Sequence, residues 1–138
     1  MKALDTNVIA RFFVDDPDDP EAAKQRPAAI AAMKQQVFVS TSVILELEWV
    51  MRGFYELPRE DIHRALSALC GYANVQINDR HVVLDALTAY AQGLDFADAL
   101  HLMQASHCQA LLTFDKRLLK RAAALGLLPA CEEPNASP

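Results

Sequence analysis

A chain of 138 residues, 52% hydrophobic and 22% charged, has the make-up of an ordinary globule with room for a core, which excludes the disordered and fibrous classes. No run approaches the roughly eighteen apolar residues that a membrane span needs, so no membrane role is expected. The formal charge of −5 sits badly with a polyanionic partner: an acidic chain acting on nucleic acid needs a local basic patch, a bound cation, or both.

The elements alternate along the chain. Lys2 to Asp5 predicts a short strand, with a helix beginning near Asn7. The prolines and aspartates of Val14 to Pro20 predict a loop, and Glu21 to Met33 an alanine-rich helix that Pro27 should kink or break. Val37 to Val39 is a β-branched and aromatic strand, followed by the capping residues Ser40, Thr41 and Ser42. The next helix carries an apolar stripe at Val43, Leu47, Val50 and Phe54, with Gly53 near its end. Arg59 to Leu69 is an amphipathic helix, Val75 to Ile77 a strand, and Arg80 to Ala91 a helix that Gly93 should stop. Helix, strand and helix follow at Phe96 to Cys108, Leu111 to Phe114 and Lys116 to Ala124, then an edge strand at Leu127 and Leu128 and a frayed terminus. Short strands alternating with helices predict one α/β domain with a parallel sheet covered on both faces. Cys70, Cys108 and Cys131 are odd in number and lack C-x-x-C spacing, which argues against a disulfide framework and a zinc site. With Asp5 interrupting any signal-peptide-like apolar run, a reducing cytoplasm is the expected location.

In an open parallel sheet the loops leaving the strands' C-terminal ends share one edge, where ligands bind. Asp5 and Asp115 end strands there, Glu46 lies early in the helix after the second strand, and Asp98 in the first turn of the helix before the "LLTFD" strand. Capping accounts for any one of these acids, and Asp95 with Asp98 fits an N-cap and N3 pair. Capping does not account for their convergence. Clustered carboxylates raise one another's pKa unless a cation neutralises them, and hard oxygens without Cys or His in ligand spacing select Mg²⁺ or Mn²⁺. Glu46 and Glu48 lie about 200° apart around a helix, so only one faces the cleft. Glu48 precedes Arg52 in the order that favours a surface ion pair, which assigns Glu48 outward and Glu46 inward.

"ALDTNV", "STSVILELEWVMR", "LDFADALHL" and "LLTFDKRL", in that order, resemble the PIN-domain nucleases, most closely the VapC-type toxins of bacterial toxin–antitoxin pairs. The resemblance implies a PIN-like domain over residues 1–129, an α/β/α sandwich with a parallel central sheet flanked by helices, and a frayed tail over 130–138. It implies an Mg²⁺- or Mn²⁺-dependent endoribonuclease that hydrolyses RNA phosphodiester bonds. The family's acids fall on Asp5, Glu46, Asp98 and Asp115, its hydroxyl on Thr113 and its first polar turn on Asn7; Asp95 either assists or replaces Asp98. Asp5 and Asp98 are then the principal metal ligands, with Glu46 and Asp115 completing the shell directly or through water. Implied partners are a VapB-like antitoxin that places a basic side chain in the acidic cleft, and a second copy of the chain.

Lys116, Arg117, Lys120 and Arg121 are near neighbours on the helix after Asp115, read either as a phosphate-binding patch or as a solvated face. Arg11 and Arg52 are further candidates. His101 is set aside as a ligand, and Trp49, Phe12, Phe13, Phe54 and Tyr55 are read as core or as a dimer or partner surface before base-stacking platforms. A receiver domain would want paired acids after the first strand, and a haloacid-type phosphatase D-x-D, where this chain has Asp5-Thr6-Asn7. The remaining alternatives are a non-enzymatic metal- or partner-binding α/β module and a housekeeping PIN-type RNA-processing nuclease.

Overall fold

The computed structural model describes residues 1–136. The chain divides into two compact units, Met1–Arg80 and the remainder from His81. The first holds β1 (Lys2–Ala3), α1 (Thr6–Phe13), α2 (Pro20–Met33), β2 (Val37–Val39), α3 (Thr41–Gly53), α4 (Arg59–Gly71) and β3 (Val75–Ile77). Its sheet is parallel throughout in the order β1-β2-β3, with Ala3 opposite Phe38 and Val37 opposite Val75. The second unit takes in α5 (Arg80–Ala91, begun at the boundary), α6 (Phe96–Gln104), β4 (Ala110–Leu112), α7 (Lys116–Leu125) and β5 (Ala130–Glu132). There β4 and β5 pair in parallel, Leu111 opposite Cys131.

Strands this short need help at their ends, and helix caps supply it. Asp5 accepts the Thr6 N–H at 2.8 Å, Ser40 the Val43 N–H at 3.3 Å and Asp95 the Asp98 N–H at 3.0 Å. Asp19 caps α2 through Glu21 and Ala22, ahead of Pro20, whose missing N–H costs nothing at a first helical position. Gly126 ends α7 at φ 64°, and the Leu127 N–H reaches back to the Ala122 carbonyl at 3.1 Å. Burial follows the expected periods: Val37, Val39, Val75 and Ile77 are buried while Gln76 between two of them is exposed. The first unit's core gathers Ile9, Ile44, Leu47, Met51, Ile62, Leu66 and Leu69. The second buries Val83, Leu87, Leu94, Leu100 and Leu102, together with Tyr90 and Phe96, whose rings meet edge to face at 5.6 Å.

The α/β class and parallel pairing expected from the sequence are present, with differences in detail. Hydrogen bonding gives two parallel ladders in place of one, since strands of two or three residues carry few ladder bonds. α2 runs unbroken through Pro27, and the neighbouring Arg26 donates to the Arg11 and Phe12 carbonyls at the end of α1. The last strand is Ala130–Glu132, not Leu127 and Leu128, because the residues after Gly126 are used in leaving the helix. That strand opens the 130–138 stretch read as a frayed tail; residues 137 and 138 of it lie outside the described residues.

Asn78 joins the end of β3 to the start of α3, its side-chain oxygen accepting the Thr41 N–H at 2.8 Å while the Thr41 hydroxyl reaches the Asn78 carbonyl at 2.9 Å. Thr41 is buried. Asn78→Ala strands its N–H and should destabilise the fold by about 1–3 kcal/mol, read as a lowered urea midpoint. An unchanged midpoint would show that this junction contributes nothing.

Candidate functional site

In the first unit Asp5 is exposed where β1 hands over to α1, and its cap uses Oδ1. Beside it Thr6 is buried, and its hydroxyl has no hydrogen-bond partner among the described residues. Asn7 is exposed on the same first turn.

Of the two glutamates of α3, Glu48 is not outward as expected but buried, while Glu46, expected to face the cleft, lies on the exposed side of the helix. Glu48 is 2% exposed and its carboxylate accepts from Arg52 Nε at 2.9 Å and Nη2 at 3.4 Å. Glu46 is exposed. The cause is the phase of the helix: the buried stripe is Ile44, Leu47 and Met51, one step round from the expected Val43, Leu47 and Val50. Glu48 lies on that stripe, four residues after Ile44 and three before Met51, and Arg52 accompanies it because a lone buried carboxylate is costly.

In the second unit three acids lie within electrostatic reach of one another. Asp98 sits in the first turn of α6, partly buried, its N–H capped by Asp95. Burial, and then the charges of Asp95 and Asp115, push its carboxyl above the ordinary range, with His101 opposing. Asp115 is exposed at the head of α7, where Oδ1 accepts the Arg117 and Leu118 N–H groups at 2.9 and 3.2 Å. Its own N–H donates to the Thr113 hydroxyl at 3.0 Å, so Thr113 positions Asp115. Cys131, which sequence reasoning did not connect with the acids, is near enough that Asp98 adds to the burial raising its thiol pKa. Only the β4–β5 pairing brings it there.

The cations divide by their engagements. Lys116 pairs with Glu133, and the Arg121 guanidinium occupies the space a side chain at Gly93 would fill. Arg117 and Lys120 are exposed on the same face of α7. Arg11 is committed to Tyr55 at 2.7 Å and Gln25 at 3.1 Å, and Arg52 to Glu48.

Among the described residues no three His, Cys, Asp or Glu side chains are grouped closely enough to hold a metal ion. The donor chemistry nevertheless suits a hard cation. The caps at Asp5, Asp95 and Asp115 each engage Oδ1, so capping leaves each residue a second carboxylate oxygen, and oxygen is what Mg²⁺ and Mn²⁺ prefer.

Two outcomes follow. Glu48→Gln removes the carboxylate charge that Arg52 meets and should cost on the order of 1–3 kcal/mol in chemical denaturation, between the values for an exposed and a fully buried pair. Glu46→Gln, on the exposed face, should stay within about 0.5 kcal/mol; equal losses would contradict the helix phase. For Asp98 the folded pKa lies above the unfolded value, so the native state holds its proton longer and ionisation opposes folding. Asp98→Asn should therefore be more stable than the native chain at neutral pH without metal. The gain should vanish as pH falls through the raised folded pKa to below the unfolded one, and a gain that persists in acid would contradict the stated cause.

The PIN domain family model matches residues 2–125, a span that takes in residues of both units. No curated protein and no solved structure matches the chain. Parallel strands that hand over to capped helices, with carboxylates at those junctions, agree with that match, and the chain belongs to the PIN domain family, whose α/β fold is a nuclease fold.

Proposed function

We propose that this chain is a divalent-metal-dependent endoribonuclease and the toxin of a VapC-like toxin–antitoxin pair, working in the cytoplasm. The observation that carries the reading is that in each unit an acid stands where a parallel strand gives way to a helix, Asp5 after β1 and Asp115 after β4. In parallel α/β sheets that is the ligand-binding edge. The motif set from "ALDTNV" to "LLTFDKRL" supports the narrower toxin assignment.

In this reading Asp5 and Asp98 are the principal ligands of Mg²⁺ or Mn²⁺, and Glu46 and Asp115 complete the shell directly or through water. Bound there, such an ion supplies a polarised phosphate and an activated water. The chain's own groups do the rest. Thr113 holds the backbone that presents Asp115, Asn7 offers an exposed amide beside Asp5, and Arg117 and Lys120 meet substrate phosphates, with Lys116 and Arg121 flanking them. A VapB-like antitoxin opposes the acids with a basic side chain, and the toxin acts as a homodimer.

The test is cleavage of defined RNAs by the purified chain with Mg²⁺, Mn²⁺ or EDTA. Cleavage should require the ion, and Asp5→Asn and Asp98→Asn should each lower turnover by more than about a hundredfold while remaining folded. Near-normal turnover in either soluble variant would remove that residue from the ligand set. Cleavage unaffected by EDTA would overturn the metal reading. Expression of the native chain, but not of Asp5→Asn, should arrest growth; growth unaffected by an active ribonuclease would favour a housekeeping RNA-processing role.

A further inference from the structure

We propose that Glu133 is an internal competitor of the substrate: its carboxylate stands on Lys116 where an RNA phosphate would sit, and RNA binds by displacing it. The inference rests on the ribonuclease reading and adds to it a residue that sets substrate affinity.

Strand pairing brings together two residues separated in the chain by the length of α7. β5 runs parallel to β4 with Leu112 opposite Glu132, and the Thr113 N–H extends the ladder by donating to the Glu132 carbonyl at 2.9 Å. Both strands therefore end on the same edge, β4 leading through Asp115 into α7 and β5 leading to Glu133. Lys116 is the first residue of α7, and its ammonium donates to the Glu133 carboxylate. Among the described residues Glu133 is the one acid in an ion pair with a cation of α7.

The pair is not what holds this segment in place. The β4–β5 ladder fixes the strand before Glu133, and Asp115 caps the helix that begins at Lys116. The two side chains are 76% and 45% exposed, and an ion pair so open to water adds little to stability. What it changes is the charge that Lys116 presents. A phosphodiester oxygen offers an ammonium the same kind of anionic acceptor as a carboxylate, so the two anions compete for it and repel each other. Lys116 follows Asp115 in the chain, so the phosphate it would hold lies beside the proposed metal-binding edge. An exposed pair is weak enough for a substrate with many phosphates to displace. Its displacement still lowers affinity.

Full-length Asp5→Asn, which leaves substrate uncleaved, is titrated in Mg²⁺ with a dye-labelled oligoribonucleotide while anisotropy reports binding. Adding Glu133→Gln should tighten binding about two- to fivefold at low salt, the range an exposed ion pair spans, and the gain should shrink as salt rises. In a Lys116→Gln background the same substitution should change affinity by less than about 1.5-fold, because its target is gone. Glu132→Gln removes an equal charge one residue earlier and should also stay within about 1.5-fold. In the otherwise native enzyme Glu133→Gln should lower KM by about two- to fivefold with kcat within about twofold. Unchanged affinity in Glu133→Gln overturns the proposal and leaves the ribonuclease reading standing. A gain that persists in the Lys116→Gln background, or that Glu132→Gln matches, assigns the effect to net charge and also overturns it. No RNA binding by any variant overturns both.

Discussion

The structure depends on how the chain passes from a parallel strand into a helix. Its strands are two or three residues long, too short for ladder hydrogen bonds alone to hold their partners in register. A side chain at the junction fixes where the next helix begins: Asp5 for α1, Ser40 for α3 and Asp115 for α7. Each junction lies at the C-terminal end of its strand and the positive end of its helix, the two places where negative charge is favoured. Capping and ligand binding therefore do not compete for these residues. A cap that uses Oδ1 aims the carboxylate and leaves the other oxygen for a second task. The aspartate in "ALDTN" is explained structurally by the first role, which is compatible with the ligand role proposed for it.

Grouping acids has a cost that the second unit displays. Asp98 is partly buried and feels Asp95 and Asp115, so its ionised form is opposed by desolvation and by like charge together. His101, set aside as a ligand, has a part to play as a neighbouring group that eases the charge of Asp98. A carboxylate whose charge is opposed by burial and by like-charged neighbours is consistent with the ligand role proposed for Asp98.

Much of this was legible in the sequence because it is local. Asp5, Ser40, Asp95 and Asp115 are caps that residue type and position announce, and the alternation of strands with helices specifies parallel pairing. The phase of α3 was not legible. Val43, Ile44, Leu45, Leu47, Val50 and Met51 surround that helix with apolar residues, so two stripes sharing Leu47 describe the sequence equally well. Only packing distinguishes them, and it chose the one that buries Glu48 with Arg52. The closeness of Cys131 to Asp98 and the seating of Arg121 over Gly93 were likewise beyond reach, since both depend on residues far apart in the chain. The adjacent Leu127 and Leu128 imitate a strand, but a chain leaving α7 through Gly126 cannot pair with β4 until it has turned.

The phase of α3 also bears on how a chain of net charge −5 engages a polyanion. Turning Glu48 inward engages Arg52 at its side, just as Glu133 engages Lys116 and Tyr55 and Gln25 engage Arg11. On α7, Lys116, Arg117, Lys120 and Arg121 are all exposed, Lys116 against Glu133 and Arg121 over Gly93. The same rotation that consumes a cation turns Trp49 and Glu46 outward together. In the proposed reading the exposed cations of α7, together with an ion held by the carboxylates, offset the charge of the substrate.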